Sequence, residues 1–190
     1  VEEVPVGSEL PILPLRGVVV FPAAIVPLLI SRPSSLALVE RALVGDRVIG
    51  LVAQRAPEQE APGPDDLYVR GCAGRILKML KYPDGNIRIL VQGLRRIEIE
   101  DVVHTDPFLV AHVEQLEDSN GEGMEVMALK TQVVQTFSRF VEMTPHLPNE
   151  LQVVVINIKS PGSVSDLIAA NLNLPLEEKQ LVLETLDVGK

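Results

Sequence analysis

"LPILPLRGVVVFP", Leu10 to Pro22, and the run behind it, "AAIVPLLI", Ala23 to Ile30, set two apolar β-branched segments among prolines. Proline has no backbone donor, so a central strand tolerates it poorly and it collects at strand starts, edges and corners. Pro11, Pro14 and Pro22 therefore predict a strand that enters from an exposed edge, runs inward through Val18 to Phe21 and leaves at a corner, and Pro27 repeats the design in the next strand. Two bent apolar strands in succession predict a small, strongly curved β structure, not a flat sheet.

Downstream the period changes. "SRPSSLALVERALVGD" offers Ser31 as an N-cap, Pro33 in the first turn, Leu36, Val39 and Leu43 at helical spacing and Gly45 as a stop, which predicts one short helix. "VIGLVAQ", Val48 to Gln54, returns to strand, and "RAPEQEAPGPDD" has no periodic face and reads as loop, with Asp65 and Asp66 solvating it or capping a turn. "RILKMLKYPDGNIRILVQG" predicts a hairpin turning at Pro83, Asp84 and Gly85. Gly93 marks an expected bulge, after which Ile97 and Ile99 alternate with Glu98 and Glu100; "FLVAHVEQL", Phe108 to Leu116, closes the β half.

"EDSNGEG" reads as a boundary. Met124 to Met143 is helical, with Val126, Leu129, Val133, Phe137 and Phe140 in a stripe widened by Met127, Val134 and Val141, as expected of a helix facing a helical core. "LQVVVINI" is β-branched but follows Pro148, Asn149 and Glu150, a credible helix start, so context is expected to override propensity. Ser160 as cap and Pro161 at the first position open a third helix, and a fourth follows Pro175. The expected fold class is α+β: a β-rich domain over 1–117 with one short helix, a linker at 118–123 and a helical bundle over 124–190.

Charge and motifs narrow the chemistry. Seventeen basic against 26 acidic residues give −9, which disfavours bulk attraction to nucleic-acid phosphate or anionic membrane. One cysteine, Cys72, excludes an internal disulfide framework and reads as a small buried hydrophobe in a reducing compartment. No stretch approaches the ~18 apolar residues that span a bilayer, and no basic leader opens the chain, so a soluble intracellular protein is expected. The start at Val1 and the stop in mid-flow at Lys190 are those expected of a piece of something longer. The P-loop, H-E-x-x-H and G-x-S-x-G patterns are absent. His104, His112 and His146 lie far apart without metal-ligand spacing, and the neighbours Lys159 and Ser160 do not face each other as a catalytic dyad would. No active site and no metal site is expected within the chain.

Several elements together carry a resemblance: "PLR" followed by "VVVFP", "PDDLY", "YPDG", "VQGLRR", and "EEKQ" with "LETLDV". From about Leu10 to Lys190 the chain resembles the amino-terminal, substrate-recognition region of the Lon ATP-dependent proteases. It departs at Gly17, where an acid or amide is common, at Ala23 and Ala24, where glycine or methionine is frequent, and at Val164 and Ser165, where Leu-Ala is common. The resemblance implies a PUA-like β pseudo-barrel followed by a helical bundle that leads, through a long helix, into an ATPase module using ATP and Mg and a serine protease module with a Ser-Lys dyad, neither within these residues. It implies a non-catalytic role: binding unfolded or damaged polypeptides and degradation tags in quality control, as part of a homo-hexamer in the bacterial cytoplasm or, alternatively, the mitochondrial matrix. Two other classes share the β fold, a stand-alone adaptor of the ubiquitin-ligase substrate-receptor type and a PUA-like RNA-binding module; with 3% aromatic residues and net acidity the chain is a poor RNA binder.

A receptor for unfolded chains needs exposed apolar surface that accepts many sequences. The hairpin arm around Leu77, Met79, Leu80 and Tyr82, with Lys78 and Lys81 interspersed, is the first expected binding surface. The corner at Phe21, Ile25 and Leu28 is the second.

Overall fold

The computed structural model describes residues 4–190. These form two compact units, Val1–Leu116 and Glu117–Lys190 by chain span. The first contains six strands, β1 (Glu9–Leu15), β2 (Ile25–Ile30), β3 (Val48–Ala53), β4 (Arg70–Lys81), β5 (Ile87–His104) and β6 (Val110–Leu116), with α1 (Pro33–Val44) between β2 and β3. The second contains α2 (Met124–Met143), α3 (Glu150–Asn157), α4 (Pro161–Asn171) and α5 (Leu176–Glu184).

The strands lie in the order β2-β5-β4-β3-β1-β6, and β5 also pairs with β6, which closes the ring. β5 makes this possible by its length: its first part, Ile87 to Gln92, pairs with β2, and its second part, Arg96 to His104, pairs with β6, while β4 follows it on the other edge. The β half is therefore a pseudo-barrel, and the α+β expectation holds.

Pro11 and Pro14 sit inside the ring, not at an edge, because each falls where its missing donor has no partner strand, while Pro22 lies in the turn before β2. Ile12 donates to Leu109 O at 2.8 Å on the β6 side, so Pro14, two residues on, turns the same way, beyond the Glu9–Pro11 stretch that pairs with β6. Pro11 turns toward β3, whose pairing with β1 begins at Ile12. β2 is the edge strand. Ala24 O accepts from Gly93 N at 2.9 Å, so even-numbered residues face β5 and Pro27 faces the open side. The expected strand through Val18 to Phe21 does not form; Val19, Val20 and Phe21 are buried in an irregular segment that turns into β2. Gly93 admits that turn: a Cβ there would stand 2.1 Å from Phe21 O.

Alternation gives β1 and β3 a core on each face. Leu13, Leu15, Ile49 and Leu51 pack with Leu38, Val39 and Ala42 of α1 and with Ile87, Ile89 and Val91 of β5. Leu10, Ile12, Val48 and Val52 pack with Ala73, Ile97, Ala111 and Val113. Complete burial of β3 explains its near-continuous apolar sequence. α1 starts one residue later than its expected cap: Arg32, not Ser31, is the N-cap, with no side-chain bond.

In the second unit Ser160 caps α4 by accepting from Ser163 N, and Pro161 takes the first position, as expected. α3 is helical despite its β-branched run, because Val155 is buried with Phe137, Val141 and Val164. The stripe expected of α2 is narrower than its sequence suggested: only Phe137 and Val141 are buried, and Leu129, Val133 and Phe140 are exposed. The segment expected as a linker is tied to the C-terminal turn, with Ser119 N donating to Leu186 O and Val188 N to Ser119 O. No helix among the described residues is long and apolar enough to cross a membrane.

Candidate functional site

The hairpin β4–β5 and the edge strand β2 share an open face. Three cross-strand rows define it: Ile25, Gln92 and Arg75; Pro27, Leu90 and Lys78; Leu29, Arg88 and Leu80. The opposite side chains of the same strands, Leu28, Ile30, Ile76, Ile87, Ile89 and Val91, fill the core beneath α1. The result is a sheet with one packed and one open face, and the open one is unusually apolar. Leu80 is 63% exposed, Leu29 61% and Ile25 55%. Pro27, Lys78, Met79, Leu80, Arg88, Ile89 and Leu90 line a shallow hollow at its centre.

A β-bulge sets which hairpin residues reach this face. Between Ile76, opposite Val91, and Lys78, opposite Leu90, β4 carries one residue more than β5, and that residue is Leu77. An extra residue exchanges the two faces of a strand. Lys78 and Leu80 are thereby turned outward, while Met79 turns in against the α1 core.

The expected binding residues separate accordingly. Leu80 and Ile25 stand on the open face, and Tyr82 is exposed at the hairpin end beneath the Arg88 guanidinium, 5.8 Å from its ring centroid. Leu77 is half-buried at the bulge and Met79 half-buried in the core. Phe21 and Leu28 are buried, so the corner is a surface only through Ile25. Leu29, Pro27 and Leu90 complete the face and were missed from sequence. Leu29 and Pro27 share the parity of Ile25 in "IVPLLI", a signal that becomes readable once β2 is known to be an edge strand.

Chemistry-bearing side chains elsewhere are engaged in structure. Asp66 Oδ2 accepts from Gly63 N at 2.7 Å and Gln59 Nε2 at 2.9 Å, capping the short turn Pro64–Asp66. Cys72 is buried. His112 bonds Asp101 and approaches Glu9. Among the described residues no group of three His, Cys, Asp or Glu could hold a metal ion.

Comparison with known proteins gives this geometry a family. The model of the ATP-dependent protease La (LON) substrate-binding domain matches residues 9–190. The chain belongs to the Lon substrate-binding domain family. Among its curated relatives, Lon protease 2 of Myxococcus xanthus is 43% identical over 188 residues, 98% of this chain and 22% of that protein. Lon protease of Dictyoglomus thermophilum is 40% identical over 183 residues, 96% of this chain and 23% of that protein. The chain thus spans less than a quarter of the length of these Lon proteases. The fold matches the N-terminal domain of Mycobacterium avium complex Lon protease at a TM-score of 0.74, with 21% identity and coverage of 95% of this chain and 91% of that one. It also matches a Lon N-terminal domain protein from Xanthomonas campestris at 0.66, with 19% identity and coverage of 95% and 92%.

Proposed function

We propose that the open face of β2, β5 and β4 captures exposed apolar segments of unfolded or damaged proteins, and of degradation tags, for an ATP-dependent Lon protease in quality control. The observation that carries this reading is the contiguity on one sheet face of Ile25, Leu29 and Leu80, all exposed, with the half-buried Leu90. Native proteins bury such segments and unfolded ones display them, so an apolar face reads folding state more than sequence. Capture requires no chemistry here: ATP hydrolysis with Mg and Ser-Lys peptide cleavage are assigned to other modules of a homo-hexameric protein in the bacterial cytoplasm, with the mitochondrial matrix as the alternative. Matches to Lon proteases along almost the whole chain support this assignment over a ligase adaptor or an RNA-binding module.

An NMR titration of the chain with one protein in matched native and permanently unfolded forms tests it. Shifts are expected at Ile25, Leu29, Leu80 and Leu90 with the unfolded form only. The double substitution Leu29→Asp and Leu80→Asp is expected to weaken binding about tenfold or more, a loss of roughly 1.4 kcal/mol. Absence of shifts with either form, or shifts confined to other surfaces, would overturn the assignment.

A further inference from the structure

The same face carries a charge pattern that its apolar residues do not explain. Between those residues stand Arg75, Lys78 and Arg88, all exposed, with Gln92 as the neutral polar member and no carboxylate in any of the three rows. None of the three cations is in an ion pair among the described residues, although Arg88 lies over Tyr82. The sign runs against the chain as a whole, which is −9. Solubility alone does not call for it, since Asp and Glu solubilise an exposed face better than Lys and Arg do.

We infer that this face selects, among exposed apolar segments, those that carry Asp or Glu beside their apolar residues. The inference rests on the capture reading above and names its substrate class. Arg88 lies between Leu29 and Leu80 in one row, and Lys78 lies beside Leu90 in the next. Neighbouring strands are about 4.8 Å apart and alternate residues of one strand about 6.6 Å apart, so Leu29, Leu80 and Leu90 each have a cation within one side-chain length. An extended segment that seats a Leu or Phe on this surface brings its adjacent residues over Lys78 or Arg88. A carboxylate there gains an ionic contact at the rim of an apolar one; a lysine meets like charge. The field also steers acidic segments to the face before contact.

Three unfolded, fluorescently labelled peptides test the idea, with identical Leu and Phe positions separated by Asp and Glu, by Ser and Gln, or by Lys. Binding to the 190-residue chain is followed by anisotropy at low and high salt. The acidic peptide is expected to bind tightest and the basic one weakest, about tenfold apart at ~50 mM NaCl and within about twofold at ~1 M, where screening reaches about 3 Å. Lys78→Glu with Arg88→Glu, both at exposed positions, is expected to reverse the order while leaving the circular dichroism spectrum unchanged. Equal affinities for all three peptides, abolished by Leu80→Asp, would overturn charge selection and leave capture standing. An acidic preference that survives the double charge reversal would overturn the assignment to this face. Failure of every peptide to bind would overturn capture and selection together.

Discussion

Ala23 shows how one backbone angle links the opening sequence to the open face of the sheet. It sits at φ 64° in the turn that delivers the chain to β2, and its N–H donates to Gly93 O at 2.9 Å. A left-handed conformation costs a residue with a Cβ about 1–2 kcal/mol, which is why a glycine suits this corner. Gly17, at φ 63°, occupies the same region just upstream, one that Asp and Asn also tolerate. The departures from the Lon pattern noted at these two positions thus fall where backbone geometry is special. Ala23→Gly is expected to raise stability by about 1 kcal/mol in urea unfolding, whereas Ala24→Gly, with no such angle to relieve, is expected to lower it by up to about 1 kcal/mol. A loss at position 23 equal to that at 24 would contradict the account.

At the scale of elements, His112 marks where the ring closes. On β6 it stands opposite Glu9 of β1 and Asp101 of β5, with Nδ1 3.0 Å from Asp101 Oδ2 and Nε2 3.4 Å from Glu9 Oε2. The hydrogen bond to the Asp101 carboxylate, followed by that carboxylate's charge, raises the His112 pKa above its ordinary value of 6.5. A folded-state pKa raised in this way favours the folded protein while the imidazole is protonated. The contribution is complete below the unfolded value, about 6.5, and fades as pH rises through the higher folded value. His112 is expected to titrate above about 6.5 in an NMR pH series and to move down toward that value in Asp101→Asn. His112→Gln is expected to lower thermal stability slightly at pH 5 and not at pH 9; because the side chain is exposed, the effect is small. The bulge at Leu77 belongs to this scale too. Deleting one residue there would exchange Met79 for its neighbours on the open face, so the surface is a property of register before it is one of composition.

At the scale of the whole molecule, the ring β5-β4-β3-β1-β6 closes on itself, and the two apolar clusters that flank β1 and β3 are built from residues of the first unit. Residues 1–116 alone are therefore expected to fold and to keep the amide spectrum of the barrel; a spectrum collapsed to unfolded dispersion would contradict this. Much of the molecule was legible in the chain: the hairpin turn at Gly85, the period change before Met124, the cap at Ser160 and the α+β class all follow from local rules of turns, caps and hydrophobic spacing. The hairpin that the sequence marks as apolar leaves Leu80 and Tyr82 exposed and Leu77 and Met79 half-buried. Burial was not legible. Phe21 and Leu80 are both apolar residues beside turns, and only the path of the chain past Gly93 buries the first while the Leu77 bulge exposes the second. Nor could the sequence show that Ile25 and Leu29 lie across β5 from Arg75 and Leu80, residues some fifty positions away. Local periodicity determined which segments become strands and helices, because those preferences act within a few residues. The tertiary structure alone decided which apolar side chains face water, because that depends on register and on strands paired far apart along the chain.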